Sequence, residues 1–170
     1  MIEIKTLSPD QWGLYKSVRC AALADAPYAY SSTLDDALRR SDEDWQRLTR
    51  QYASDPKSIT YFAFVDQVPC GMSACVLDGS EAEMFAVWVD PAQRRKGVGS
   101  ELIEFARAWS ELQGARKLKV GVFDDNSGAL ALYRSAGFED LGAIKPDLSS
   151  EDRTVLLLTM SLPKTPEGES

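Results

Sequence analysis

The chain has 170 residues, of which 44% are apolar and 26% charged, and its 19 basic and 26 acidic residues leave a net charge of −7. That length suits one domain with a full core, and the balance excludes a disordered chain. An acidic balance disfavours nucleic acid, whose phosphates demand a basic face, and no apolar run is long enough to cross a bilayer.

The opening Met1-Ile2-Glu3-Ile4 reads as a strand and not as a signal peptide, so we expect a cytoplasmic protein with no membrane partner. Ile2 to Leu7 alternates apolar and polar residues. Ser8-Pro9-Asp10-Gln11 has the pattern of a capping box with proline at the first helical position, ahead of a face made of Trp12, Tyr15, Val18, Ala22 and Leu23. Ala26-Pro27 ends that helix. Residues 27 to 40 are aromatic and polar with little periodicity. Ser41 to Asp44 caps a second helix with the face Trp45, Leu48 and Tyr52, and Asp55-Pro56 breaks it. Tyr61 to Val65 and Gly71 to Leu77 flank Asp66-Gln67-Val68-Pro69 as a hairpin. Cys70 and Cys75, an odd number of residues apart on one strand, should lie on opposite faces, and with Cys20 they read as buried small hydrophobes. The chain has no histidine, so no metal is expected.

The central strand runs from Glu81 to Val89 and ends at Asp90-Pro91, because proline has no N–H for a ladder. Val98, Leu102, Phe105, Trp109 and Leu112 then recur at steps of four and three, the stripe of an amphipathic helix. Between strand and stripe stand Arg94, Arg95, Lys96, Gly97, Val98, Gly99 and Ser100. Glycines let backbone N–H groups come close to a ligand, the opening turn of a helix has unpaired donors and the positive dipole end, and the basic side chains add charge. A pyrophosphate fits such a loop. A dinucleotide fingerprint would need a third glycine where Leu102 stands, and a P-loop would need Lys and Ser/Thr directly after Gly99. Beyond it, Gly114 caps the helix, Leu118 to Phe123 forms a strand, and Asn126 to Ala136 a short helix closed by Gly137. Phe138 to Ile144 and Thr154 to Leu162 form a last antiparallel pair. We expect one domain over residues 1–162 and a flexible tail over 163–170.

RRKGVG resembles the Q/R-x-x-G-x-G/A signature of the GNAT superfamily of acetyl-CoA-dependent N-acetyltransferases. A second block, residues 122 to 138, resembles that family's later N-x-x-A-x-x-L-Y-x-x-x-G-F segment through Asn126, Ala129, Leu132, Tyr133, Gly137 and Phe138. The resemblance implies an α/β (α+β) GNAT fold, with a mixed sheet of about seven strands in the order β-α-α-β-β-β-α-β-α-β-β and a central parallel pair that splays.

The same resemblance implies acetyl-CoA as co-substrate. Main-chain groups of Val87, Trp88 and Val89 would bind the pantetheine arm, the loop from Arg94 through Ser100 would hold the pyrophosphate, and Lys96 stands where the family usually has glycine. Asn126 is equally a good N-cap and a pantetheine ligand. Tyr133, two turns further on, would protonate the departing sulfur or else serve as a core aromatic. Glu83 is the first candidate for the base, by its shared parity with Val87 and Val89 and by family precedent; a solvated glutamate, Asp124, Asp125 or water are the alternatives. The acidic balance suits a cationic amine acceptor and serves solubility equally well. The implied acceptor is a small-molecule or peptide amine, held by residues 27–40 and 145–153, and a homodimer is compatible. The alternative function is an acyl-CoA sensor without turnover.

Overall fold

In the computed structural model, residues 1–27, 32–146 and 154–164 are described, and residues 165–170 of the tail and part of the expected acceptor segments lie outside them. Apolar alternation builds strand β1 (Ile2–Thr6). The next turn keeps only half of the capping box: Gln11 Oε1 accepts from the Ser8 N–H at 2.9 Å, and the helix α1 starts at Trp12, running to Asp25. The segment read as irregular holds a further helix, α2 (Leu34–Arg39), capped by Thr33, whose hydroxyl accepts from the Asp36 N–H. Helix α3 (Asp42–Ser54) has the expected Ser41 cap, but its buried positions are Trp45 and Thr49, and Tyr52 is exposed.

Strands β2 (Ser58–Val65) and β3 (Val68–Asp78) join through Asp66 and Gln67, both at positive φ, as a two-residue primed turn requires. Strand β4 (Glu81–Val89) leads through one turn of 3₁₀ helix to helix α4 (Val98–Leu112). Its buried stripe is Val98, Leu102, Ile103, Ala106 and Ser110, while Leu112 is exposed at the helix end. Strand β5 (Lys117–Phe123), helix α5 (Ser127–Ser135) and strands β6 (Glu139–Pro146) and β7 (Thr154–Ser161) complete the chain. The element order differs from expectation only by α2.

The seven strands form one mixed sheet in the order β1-β2-β3-β4-β5-β7-β6, with β4 and β5 as its parallel pair. One face carries the larger core, with Tyr61, Met84, Leu102, Leu118, Tyr133 and Leu158 beneath α4 and α5. The other carries Phe62, Met72 and Trp88 against Leu7, Val18 and Ala22, and α1, α2 and α3 close over Leu23, Ala37 and Trp45.

Two irregularities overturn parity readings. Ala63 pairs Gly71 whereas Phe64 pairs Pro69, so Cys70 is the extra residue of a bulge and joins the same core as Cys75. Both thiols are free, and burial pushes that of Cys75 up to about 12. In β4, Met72 pairs Trp88 whereas Ala74 pairs Phe85, and Ala86 sits at φ 54°. This second bulge shapes the site.

Candidate active site

β4 and β5 pair only from Glu81 with Lys117 to Met84 with Val120, and beyond those residues they diverge. A gap at the carboxyl ends of parallel strands is where ligands enter open α/β sheets. Here it opens into a cleft of about 1340 Å³. Two helices start at its rim, α4 from Gly97 and α5 from Asn126.

The bulge at Ala86 assigns β4 side chains to the two faces. Ala82 and Met84 before it, and Val87 and Val89 after it, all pack into the core under α4 and α5, while Ala86 and Trp88 join the core under α1. Glu83, between Ala82 and Met84, therefore points to the α1 face, opposite Val87 and Val89. The shared parity expected from the sequence does not exist. Within the paired part of the two strands its parallel partner is Lys119, whose ammonium pairs with Glu81. That hydrogen bond, first, and then the charges of Glu81, Glu83 and Asp78 hold the lysine above its ordinary range against the pull of desolvation.

On the α4 side the loop is shaped for an anion. Arg95 (φ 63°) and Gly97 (φ 90°) are left-handed, and Gly97 is the residue before the first turn of α4. Alternating backbone of this kind turns successive N–H groups toward one point. The first intrahelical bond runs from the Glu101 N–H to the Gly97 carbonyl at 3.1 Å, which leaves the N–H groups of Val98, Gly99 and Ser100 as opening donors. A Cβ on Gly99 would come within 2.7 Å of Leu132 Cδ2, so this glycine also lets α5 approach.

The two arginines behave differently. Arg94 donates through Nε to the Val89 carbonyl at 3.1 Å and through its guanidinium to Asp25, which also accepts from the Trp88 indole at 3.0 Å. Arg94 thus ties the end of α1 to the loop, and the Trp88 indole shares the same Asp25 oxygen. Arg95 and Lys96 are exposed, and Arg95 lines the cleft.

Asn126 performs the capping role, its Oδ1 accepting from the Ala129 N–H at 3.2 Å; its Nδ2 keeps donor capacity at the cleft wall. Tyr133 lines the same wall, 4% exposed, its ring edge-to-face with Phe138 at 5.5 Å. Asp124 and Asp125 are exposed and do not line the cleft. The structure thus brings Glu83, Tyr133, Asn126, Arg95, Gly97 and Gly99 onto one cavity. Sequence reasoning missed Tyr15, Arg19 and Thr60, which line its α1 half, whereas Arg40, also on that wall, closes the segment expected to hold the acceptor. Tyr15 and Arg19 lie on a helix read only for packing and capping.

Residues 23–138 match the family model described as acetyltransferase (GNAT) family. The chain is 27% identical over 139 residues to a mycothiol acetyltransferase of Clavibacter sepedonicus, a match that covers 82% of this chain but only 43% of that relative. The chain therefore spans less than half the length of that relative. It is 34% identical over 88 residues to the ribosomal protein bS18-alanine N-acetyltransferase of Escherichia coli, covering 52% of this chain and 58% of that one. Among solved structures, the PaiA N-acetyltransferase of Thermoplasma acidophilum in complex with coenzyme A superposes with a TM-score of 0.74 over 95% of this chain and 99% of that one, at 19% identity.

Proposed function

Because the chain belongs to the GNAT acetyltransferase family, we propose that it transfers an acetyl group from acetyl-CoA to a primary amine by direct attack in a ternary complex. The observation that carries this reading is the splayed β4/β5 gap, which opens one cavity to an anion-binding loop, a phenol and a carboxylate. Acetyl-CoA supplies the thioester carbonyl as electrophile.

The N–H groups of Val98, Gly99 and Ser100, with the positive end of α4, hold the pyrophosphate. Main-chain groups of Val87 to Val89 and the Asn126 amide align the pantetheine arm in the gap. Glu83 approaches from the α1 face and Tyr133 from the α5 face, so base and acid stand on opposite sides of the plane the acetyl group must occupy. Glu83 takes the amine proton through a water, the new C–N bond forms as the C–S bond breaks, and the Tyr133 hydroxyl protonates the sulfur.

The test is free-thiol release from acetyl-CoA with a panel of amines, run as a pH profile on the wild type and on Glu83→Gln. We expect amine-dependent thiol release, with an acidic limb in kcat/KM that Glu83→Gln removes and a partial recovery of the variant at high pH. Acetyl-CoA binding without turnover across the panel would favour a sensor. A variant that keeps the limb and the rate would remove Glu83 as base.

The loop makes a second prediction, about its two arginines. Arg95→Ala should weaken CoA about tenfold to a hundredfold while pantetheine binding changes little, because charge-assisted phosphate bonds are worth about 1.5–3 kcal/mol. Arg94→Ala should instead lower the melting temperature by a few degrees, since a half-exposed ion pair contributes under about 1 kcal/mol. Calorimetric titration and thermal unfolding of both variants separate the two roles.

A further inference from the structure

Resting on that reading of the cleft, we propose that the amine acceptor also carries a carboxylate, bound by Arg40 with Arg19 beside it, so that the substrate class is a small amino acid and not a polyamine. Glu83 pairs Val76, which pairs Ser58, and these residues line the α1 half of the cleft on the face where Glu83 points. Above that floor stand Tyr15 and Arg19 from α1, Tyr52 from α3, and Arg40 from the α2–α3 junction.

The charges here differ from those of the chain. The whole protein carries −7, which alone would suggest a polycationic substrate. In this half of the cleft the lining charges among the described residues are Arg19 and Arg40 against Glu83, Asp55 and Asp25. Asp55 is turned into its own loop, its Oδ1 accepting from the Lys57 N–H at 2.9 Å. Asp25, the other lining carboxylate, is taken by Arg94 and Trp88. Among the described residues, what is left facing a substrate is the Glu83 carboxylate and, across from it, the Arg40 guanidinium. A polyamine would meet repulsion at one end, whereas an amine with a carboxylate finds a partner at each.

Arg40 is built to receive an anion. Its guanidinium lies over the Trp45 ring at 5.2 Å, and among the described residues it makes no ion pair. A cation held over an indole face gains from the ring without using its N–H groups, which stay available for bidentate carboxylate recognition. Arg19 and Arg40 also act on one phenol: burial, first, and Tyr52 raise the Tyr15 hydroxyl above its ordinary value, while the charges of both arginines pull it down. Phe85, 46% exposed on the β4 wall, and Tyr52 are apolar surfaces for a substrate side chain.

The experiment compares leucine, leucinamide, isoamylamine and spermidine as acceptors, with kcat/KM referred to the free-amine fraction of each. Leucine should exceed leucinamide about tenfold to a hundredfold, as expected for one charge-assisted bidentate contact, with spermidine lowest. Arg40→Ala should collapse the leucine-to-leucinamide ratio toward one, and Arg40→Lys, which keeps charge but not the planar fork, should retain part of it. Circular dichroism and acetyl-CoA titration check that each variant folds. A wild-type ratio near one, spermidine as the best acceptor, or an unchanged ratio in Arg40→Ala would overturn the proposal while leaving acetyl transfer intact. No thiol release with any of the four would count against transfer itself as well as against this substrate class.

Discussion

Tyr133→Phe is expected to lower kcat by about 10²–10⁴-fold with nearly unchanged acetyl-CoA affinity, the range general-acid catalysis supplies. The substitution keeps the ring that packs edge-to-face on Phe138 and deletes only the hydroxyl. A hydroxyl that acts on the departing sulfur is needed in the transition state and not for binding, so kcat and kcat/KM should fall together. The rescue pattern adds a second readout. Acetyl donors whose thiol is more acidic need less help from an acid, so the deficit should shrink with a thiophenyl-type leaving group. Wild-type turnover in the variant would leave Tyr133 as a core aromatic, and the deficit failing to depend on the leaving group would move its role to positioning.

The parts of this fold that follow local rules are legible in the chain itself. The Asp90-Pro91 stop, the loop glycines, the Ser41 cap and the Asn126 cap all appear where short-range chemistry puts them. Helix α2 was legible too, because Thr33 precedes Asp36 with the spacing of an N-cap, but six residues carry too little apolar periodicity to stand out. The bulge at Cys70 had a local signal in its flanking Pro69 and Gly71, which instead read as the edge of the hairpin. The bulge at Ala86 has no glycine or proline to mark it, and it reverses the face of everything beyond it, which is how Glu83 comes to lie opposite Val87 and Val89. The pairing of Arg94 with Asp25 spans 69 residues and depends on where α1 ends over the sheet. No local pattern distinguishes Arg94 from Arg95. Arg40 falls inside the segment expected to hold the acceptor, but nothing local singles it out from Arg39 until α2 and α3 bring it over Trp45 beside the cleft.

Gly97→Asp should abolish acetyl-CoA binding in the accessible range while leaving the free protein close to its original stability. Two backbone effects oppose each other in the free state. A side chain at φ 90° costs about 1–2 kcal/mol, less for Asp or Asn than for other residues. A carboxylate before the first turn of α4 recovers about 0.3–1 kcal/mol from the helix dipole. There is room for the side chain, the nearest neighbour of a Cβ being Ile2 Cδ1 at 3.9 Å. In the complex the balance is one-sided, because a carboxylate about 4 Å from a phosphate charge costs about 4 kcal/mol at an effective dielectric constant of about 20, roughly a thousandfold in Kd. Ligand at about 100 times the wild-type Kd stabilises the wild type by about 2.7 kcal/mol, and a thousandfold weaker site would gain almost nothing under the same conditions. Gly97→Asn controls for conformation, since it pays the same backbone cost without the charge. It should therefore keep part of the thermal shift that Gly97→Asp loses. If Gly97→Asp kept the wild-type shift and Kd, the pyrophosphate would not lie on the Arg94 to Ser100 loop, and the opening donors of α4 would have no part in holding it.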